Sequence, residues 1–592
     1  MPVYKAPVED TLFLLTDVFD LHRYANLPRF AEAPLDTVEA VLSEAGKFAE
    51  EVLQPLNLSG DREGCTRHAD GSVTTPKGFK AAYKAFVEGG WVGITGPQEF
   101  GGQGLPHYVG VLTSEYLSAA NMAFSMYPGL TNGAAAALMV HANDEIKQTY
   151  LPKLTSGEWT GTMNLTEPHC GTDLGLIKTK ATHDPDGSFA ITGQKIFISS
   201  GEHDLADNIV HLVLARIEGA PAGVKGISLF VAPKFLPDTG ARNPLSCGAI
   251  EHKMGIHANS TCVMNYDGAK GWLVGEENRG LNAMFVMMNG ARLGVAVQGL
   301  AQSEAAYQNA AAYAKDRLQG RALTGAKAPE KAADPLLVHP DVRRMLLEIR
   351  SFNEAARALV VSVALSEDEA LGSPDEAARK AADDRIGLLT PVLKGVLSDI
   401  GFANAVKAQQ VLGGHGYVAE WGLEQFVRDA RIAMIYEGAN GIQALDLVGR
   451  KLAKDGGRAL TAFLAEINGF LGENKDNEAL APYLAPVKAA SSQLQQATMW
   501  LMQNAMKNPD NAGAASTDYM HLFGLVALSY MWARIAKAVL ARQAAGTSTP
   551  ALETKLWLAR FFNARVLPEA AAHVARIASG AEPLMGLAAE AF

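Results

Sequence analysis

The chain has 592 residues, 48% of them hydrophobic, which is enough for about three or four domains with separate cores. Its formal net charge is −11 and its basic residues are dispersed, so nucleic acid is not expected as a partner. Four cysteines lie far apart without a CxxC pair, which indicates reduced thiols in a cytoplasmic protein. We expect no signal peptide and no membrane attachment, because the N-terminus lacks an apolar core and the most apolar run, residues 522–533, is too short to span a bilayer.

Helical periodicity begins after a polar and aromatic lead-in. Apolar residues recur every three or four positions between 37 and 53, and similar patterns cover 108–120 and 143–154. We therefore predict an N-terminal extension at 1–35 and a helical domain at 36–160.

Short β-prone segments follow. Residues 188–199 alternate between apolar and polar side chains around a predicted Thr-Gly turn. Runs at 209–217, 227–232 and 262–267 are also typical of strands. The sequence therefore predicts a small antiparallel β-domain at 161–275.

Helical patterns then return. A very long helix is predicted at 281–318 and two more at 339–365 and 374–412, which with a later segment form a four-helix bundle at 276–455. A Lys-Asp-Gly-Gly-Arg linker leads to an additional helical domain at 460–592. The predicted fold is thus mostly α with a small antiparallel β-domain.

The glycine-rich stretch at 410–441 carries the strongest chemical signal. A Gly-Gly-His-Gly turn follows a helix there, and glycine permits positive φ and close approach of a ligand. Glu437 follows an apolar run and precedes Gly438, and partial desolvation makes a carboxylate a better base near neutrality. The stretch predicts a backbone cradle and a general base. A glycine-rich helix C-cap and a solvated glutamate explain the same residues without chemistry.

Other candidate sites are less specific. Two turns within residues 163–173 present hydroxyl and N–H groups that suit a flat polar ligand, although a loop without chemistry is the simpler interpretation. Gly290 lies inside the long predicted helix, where glycine costs up to about 1 kcal/mol, so it indicates close packing or ligand approach. The guanidinium of Arg317 could bind a phosphate, or it could stabilise the C-terminal end of its own helix. No histidine or cysteine spacing fits a metal site, and neither a Walker sequence nor GxGxxG after a strand is present.

Several of these segments together resemble the acyl-CoA dehydrogenase family over about residues 36–455. LTEPHCGTD at 165–173 is similar to a flavin-binding turn of the family, and GQKIFIS at 193–199 is similar to one of its strands. HKMGIHANSTC, GGHGY and RDARIAMIYEGANGIQ are similar to further family segments. The resemblance implies a helical domain, a β-barrel-like domain and a four-helix bundle, here followed by the extra C-terminal helical domain.

The resemblance implies FAD bound between the β-domain and the bundle, with a neighbouring subunit completing the site. Phe197 and Ser199 would flank the flavin ring, with the Ser199 hydroxyl near N5. Arg317 and Gln319 would meet the neighbouring flavin's pyrophosphate. The other expected FAD contacts are Met163, Leu165, Thr166, Gly171, Thr172, Gln410, Gly413, Gly414, Gly438 and Asn440.

The resemblance also implies oxidation of an acyl-CoA thioester between Cα and Cβ. Glu437 would remove the Cα proton while a hydride leaves Cβ for the flavin. Met163 and Ala439 depart from the family pattern, which makes the flavin contacts there less secure. The residues expected to contact the acyl-CoA are Thr172, Asn289, Arg292 and Glu437.

The length, the extra domain, the starting segment PVYKAPVEDTLFLL and the Gln-Gly-Arg after Arg317 are most similar to bacterial members that oxidise 3-methylmercaptopropionyl-CoA in dimethylsulfoniopropionate breakdown. Fatty acyl-CoA dehydrogenases of β-oxidation share this architecture and are the alternative. A DNA-binding flavoprotein of the same fold is the alternative from a different class, and the acidic charge and Glu437 argue against it. The resemblance further implies electron-transferring flavoprotein as acceptor and a homo-oligomer, expected to be a dimer.

Overall fold

The computed structural model describes residues 2–592, and the chain divides into two compact units. We call Val41–Gly294 the mixed unit. The second, which we call the helical unit, joins the residues up to Ala40 with Val295–Phe592.

The mixed unit begins with helices, and the predicted ones are confirmed within a few residues. The unpredicted helix Met122–His141 is largely buried and carries no apolar stripe, which is why periodicity did not reveal it. Asn121 caps this helix by accepting a hydrogen bond from the Phe124 N–H (3.0 Å). The helices of this region are Leu35–Phe48, Ala49–Leu53, Gln54–Glu63, Phe79–Glu88, His107–Ala120, Met122–His141 and Asp144–Ser156.

A seven-stranded sheet follows, and most of its pairings are antiparallel, as predicted. Strand Asn208–Ile217 pairs in parallel with two neighbours, Trp159–Asn164 and Lys180–His183. The predicted turn at Thr192-Gly193 is wrong, because both residues pair with the strand Thr261–Val274 across a bulge. The order is Trp159–Asn164, Asn208–Ile217, Lys180–His183, Phe189–Ser199, Thr261–Val274 and Ser228–Pro233, with Leu245–Ile250 paired to Thr261–Val274.

Strand Asn208–Ile217 is buried on both faces of this sheet. Val210 and Leu212 pack in one hydrophobic cluster with the helices, and Val213 and Ala215 pack in a second cluster within the sheet. Because successive side chains point to opposite faces, a strand between two cores reads as a continuous apolar run.

The helical unit contains the bundle and the additional C-terminal helices. The predicted long helix ends at Asp316, two residues before the predicted end. The predicted linker is a break at which Asp455 and Gly456 have positive φ. The main helices are Val8–Phe13, Gly280–Asp316, Pro340–Gly372, Glu376–Val411, Leu423–Ile432, Asn440–Asp446, Arg458–Glu473, Ala481–Asn504, Asp510–Ala544, Pro550–Phe561 and Glu569–Ala578.

Two helices of this unit, Glu376–Val411 and Asp510–Ala544, are long and apolar enough to cross a membrane by length and composition alone. Their most apolar segments are 67% and 89% buried within the fold, as is typical of core helices.

A buried ionic network joins the N-terminal extension to the helices. Asp10 accepts a hydrogen bond from Arg357 (2.7 Å) and forms an ion pair with Lys555, which also contacts Glu354 (2.6 Å). Burial alone raises the pKa of Asp10, but the charges of Lys555 and Arg357 lower it to about 2. The N-terminal extension is therefore held against the helices by ion pairs in which each buried charged group has hydrogen-bond partners of opposite charge.

Two glycines set the approach of helices Gly280–Asp316 and Glu376–Val411. A Cβ added at Gly299 would lie 2.4 Å from the carbonyl oxygen of Leu397, and one added at Gly401 would lie 2.3 Å from the carbonyl oxygen of Gly299. A Cβ at Gly290, the glycine noticed in the sequence, would meet nothing within 4 Å in the described part of the chain. Close packing therefore requires Gly299 and not Gly290.

We expect Gly299→Ala to lower the free energy of unfolding by about 1–3 kcal/mol, because the methyl group would clash with helix backbone. Gly290→Ala is the matched control on the same helix, and it should raise stability by up to about 1 kcal/mol through helix propensity. Urea unfolding followed by circular dichroism at one saturating FAD concentration measures both. Equal effects of the two substitutions would contradict the assignment.

Candidate functional site

The loop between helices Leu423–Ile432 and Asn440–Asp446 presents Glu437. Glu437 is half-buried and has a φ of 58°, and Gly438 after it has a φ of 86°. A left-handed conformation costs a residue with a side chain about 1–3 kcal/mol, so it persists only where surrounding contacts enforce it. Strain of this kind is concentrated at functional sites.

Two fully buried side chains enforce this conformation. Lys394 Nζ donates to the Gly438 carbonyl oxygen and to Asn440 Oδ1, at 2.7 Å each. Gln443 Nε2 donates to the carbonyl oxygens of Glu437 and Gly438, at 3.1 Å each. Sequence reasoning missed Lys394 and Gln443, although Gln443 closes the family-like segment that contains Glu437.

Asn440, predicted as an FAD contact, lies in this buried set. Its amide nitrogen donates to Asp399 Oδ1 (2.6 Å), Ser398 Oγ (2.9 Å) and the Gly395 carbonyl oxygen (3.1 Å). The side chain is thus committed to the chain's own hydrogen bonds, and its evident role is to hold the loop.

The phenol of Tyr436 adjoins the candidate base. Its hydroxyl donates to Gln298 Oε1. Burial raises the pKa of Tyr436 well above its ordinary value, and the neighbouring Glu437 carboxylate raises it further. Tyr436 therefore stays neutral and places no second negative charge beside Glu437.

The glycine turn after helix Glu376–Val411 has free space around its backbone. A Cβ at Gly413 or Gly414 would meet nothing within 4 Å in the part of the chain that the structure describes, and Gly413 has a φ of 57°. Both glycines and Gln410 are exposed, which suits backbone approach by a ligand. Gly413 also ends the helix, so the C-cap interpretation is correct as well.

His415 in this turn has a structural role. Its Nδ1 lies 2.8 Å from the Tyr313 hydroxyl, and its ring stacks on Trp421 with 4.4 Å between centroids.

In the mixed unit, hydrogen bonds connect the motif at 163–173 to strand Phe189–Ser199. The fully buried Lys195 donates to Glu167 Oε1 (2.8 Å) and to the Leu165 carbonyl oxygen (2.9 Å). Burial lowers the pKa of Lys195, and for Glu167 the raising effect of burial is outweighed by the Lys195 charge and by Thr179, so its pKa falls. Glu167 and Lys195 were missed as site residues, although both lie inside the quoted motifs.

The same contacts bring several predicted flavin residues together. The Ile196 N–H donates to the Thr166 carbonyl oxygen (2.9 Å), and Thr162 Oγ1 donates to the Ser199 carbonyl oxygen (2.7 Å). Thr166 and Met163 therefore lie beside the end of the strand that carries Ser199.

Phe197 is the unusual residue in this group. It lies at a bulge with a φ of 59°, and 59% of its surface is exposed. An exposed aromatic side chain held in a strained conformation suits stacking against a flat ring. This observation fits a flavin.

Of the other residues predicted to contact FAD or acyl-CoA, all but Arg292 are exposed, on turns or on the surface of a helix. Arg292 is buried, whereas Asn289 one turn earlier is exposed. The exposed positions are Gly171, Thr172, Arg317 and Gln319.

Family models match the chain in four consecutive segments. Residues 36–158 match the N-terminal domain of acyl-CoA dehydrogenase, residues 162–269 its middle domain and residues 278–452 its C-terminal domain. Residues 463–588 match the model described as acetyl-CoA dehydrogenase C-terminal like.

Individual proteins match over nearly the full length. The 3-methylmercaptopropionyl-CoA dehydrogenase of Ruegeria pomeroyi is 42% identical over 98% of this chain and 99% of its own. The broad-specificity linear acyl-CoA dehydrogenase FadE5 of Mycobacterium tuberculosis is 34% identical over 96% of both chains. A crystal structure of acyl-CoA dehydrogenase complexed with FAD from Bacillus anthracis shares the fold, with a TM-score of 0.73 at 22% identity over 95% of this chain and 91% of that one. With these matches along its length, the chain belongs to the acyl-CoA dehydrogenase family of FAD-dependent oxidoreductases.

Proposed function

We propose that Glu437 is the base that removes the Cα proton of a bound acyl-CoA thioester. The observation that carries this proposal is the strained, half-buried carboxylate on a loop fixed by Lys394 and Gln443. A fixed loop holds the carboxylate oxygen at one position, and preorganised geometry is a major source of rate acceleration. When acyl chain and cofactor exclude water, the carboxylate becomes a stronger base.

FAD, when bound, supplies the acceptor for the hydride that leaves Cβ. The residues proposed to hold it are those that the family resemblance implies. In the mixed unit, Phe197 and Ser199 would flank the ring, and Lys195 and Glu167 keep the neighbouring turn in place. In the helical unit, the exposed backbone of Gly413 and Gly414 is available to the adenosine half.

Glu437→Gln should retain bound FAD and lower the rate of flavin reduction by substrate by about 10²–10⁴-fold, the usual contribution of a general base. Glutamine keeps the shape of the side chain but cannot accept the proton. Anaerobic stopped-flow absorbance of the flavin band measures the rate, and the bound absorption spectrum measures FAD content.

Glu424→Gln is the control for this substitution. Glu424 is a half-buried carboxylate on the helix before the loop, and its partner is Arg428 (3.0 Å). Its loss should leave flavin reduction within about twofold of the unmodified enzyme, since an (i, i+4) ion pair within one helix contributes only about 0.2–0.5 kcal/mol. Substantial reduction by the Glu437→Gln enzyme would remove Glu437 from its proposed role.

We propose 3-methylmercaptopropionyl-CoA as the substrate. The support is the full-length match to the Ruegeria pomeroyi enzyme of that specificity. Linear fatty acyl-CoA thioesters are the second candidate, and the match to FadE5 favours them. A thioether sulfur resembles a methylene in shape and polarity, and one methylene in an apolar pocket discriminates by only about 1–3 kcal/mol.

A panel of thioesters tests this substrate. Pentanoyl-CoA is the matched control, because it differs from 3-methylmercaptopropionyl-CoA only by a methylene in place of sulfur. We expect both to bleach the flavin anaerobically, with the thioether favoured in kcat/KM by at most about 10-fold, the low end of what a methylene-sized difference supplies. Pivaloyl-CoA, which has no Cα proton, should leave the flavin oxidised. Faster bleaching by octanoyl-CoA with no preference for the thioether would support the fatty acyl alternative.

We further propose electron-transferring flavoprotein as the electron acceptor, a homodimer and a cytoplasmic location. The family resemblance supports the acceptor and the dimer, and the exposed side chains of Arg317 and Gln319 suit a contact with a second subunit.

A further inference from the structure

A series of hydrogen bonds that starts at His521 links the C-terminal helical domain to the catalytic loop. His521 lies on helix Asp510–Ala544, and its Nε2 is 2.9 Å from Asp399 Oδ2 on helix Glu376–Val411. Both side chains are about four-fifths buried, with 20% and 21% of their surface exposed. The contact is therefore shielded from competing water.

The other oxygen of the same carboxylate continues the chain of contacts. Asp399 Oδ1 accepts from Asn440 Nδ2 at 2.6 Å, a distance typical of a hydrogen bond to a charged group. Asn440 Oδ1 accepts from Lys394 Nζ, which also donates to the Gly438 carbonyl oxygen. An unbroken series of side-chain hydrogen bonds thus runs from His521 to the residue that follows Glu437.

The C-terminal domain also fixes His521 from its other side. The imidazole rings of His521 and His573 stack with 5.7 Å between centroids and 12° between planes. His573 Nδ1 lies 2.7 Å from Asp518 Oδ1, and Arg576 Nε donates to the same oxygen (2.6 Å). The position of His521 is therefore determined within its own domain.

We propose that His521 is a positioning residue for the dehydrogenation, acting on the Glu437 loop through Asp399 and Asn440. With one carboxylate oxygen held by His521, the other is aimed at Asn440, and Asn440 in turn orients the Lys394 ammonium. Residues that orient a reacting group from behind commonly change the rate by about 10- to 100-fold when they are removed. The additional domain would thus contribute to catalysis without touching substrate. This inference rests on the proposed role of Glu437.

A purely structural explanation is that His521 only docks one helix on another. Arg542 provides the control, because it lies on the same helix and pairs with Asp17 of the N-terminal extension (2.9 Å between Nη2 and Oδ2), away from the hydrogen bonds that lead to Glu437. Removing Arg542 loosens the same helix but leaves the series from His521 to Gly438 complete.

The experiment compares His521→Ala, His521→Gln and Arg542→Ala as FAD-loaded, full-length enzymes. Hydrogen exchange by mass spectrometry reports the backbone of residues 433–444, and anaerobic stopped-flow absorbance reports flavin reduction at saturating 3-methylmercaptopropionyl-CoA. We expect His521→Ala to increase exchange in 433–444 and to slow reduction about 10-fold at unchanged FAD content. His521→Gln should restore both, because its amide N–H can donate to Asp399. Arg542→Ala should change neither.

The proposal is overturned if His521→Ala changes neither the hydrogen exchange of residues 433–444 nor the rate of flavin reduction. It is overturned as well if Arg542→Ala raises the exchange of residues 433–444 as much as His521→Ala does. It is also overturned if His521→Gln behaves like His521→Ala. Should His521→Ala fail to fold, Asp399→Asn, which keeps the shape but removes the charge, gives the same comparison. An error in the proposed role of Glu437 can be told apart from an error in this proposal. The first would appear as rapid flavin reduction in the Glu437→Gln enzyme. The second would appear in the hydrogen exchange of residues 433–444 in the His521 variants.

Discussion

The buried ammonium of Lys394 determines the geometry of the candidate catalytic loop. Taking an ammonium out of water is costly unless its protons are bonded, and here they bond to the Gly438 carbonyl oxygen and to Asn440. Those bonds fix the backbone after Glu437 and so offset the strain of its left-handed conformation. The backbone of the base is therefore positioned from the interior of the bundle.

The mixed unit repeats this arrangement with different residues. Lys195 is also fully buried, and it binds a backbone carbonyl oxygen and a polar side chain, those of Leu165 and Glu167. Phe197, two residues along the strand, has nearly the same positive φ as Glu437. In each unit a buried lysine holds a loop of the proposed site by hydrogen bonds, and a residue with positive φ lies near that lysine or in that loop. Burial makes these hydrogen bonds strong and also makes them costly to break, so the two strained residues are held rigidly.

Sequence patterns predicted the fold and the residues proposed for the site, but not the buried residues that hold them. Amphipathic helices and the motifs with Glu437 and Phe197 are local signals. Helix Met122–His141 was missed because burial on all sides removes the periodicity. Lys394 was missed because its partner Gly438 is 44 positions away, and no local pattern links them. Gly290 attracted attention as a mid-helix glycine, whereas Gly299 nine positions later is the one that packs against backbone.

The way the loop is held also bears on substrate choice within the family. Lys394, Gln443 and Asn440 are buried and hydrogen-bond to the chain itself, so the backbone of the base is positioned independently of what lies beyond Cβ. A thioether and a linear chain present the same Cα and Cβ to that base, and they differ only farther along. The relatives named for these two substrate classes are 42% and 34% identical to this chain over nearly its whole length. Selectivity between the classes must therefore reside in the side chains that contact the distal acyl atoms, where a single methylene is worth about 1–3 kcal/mol.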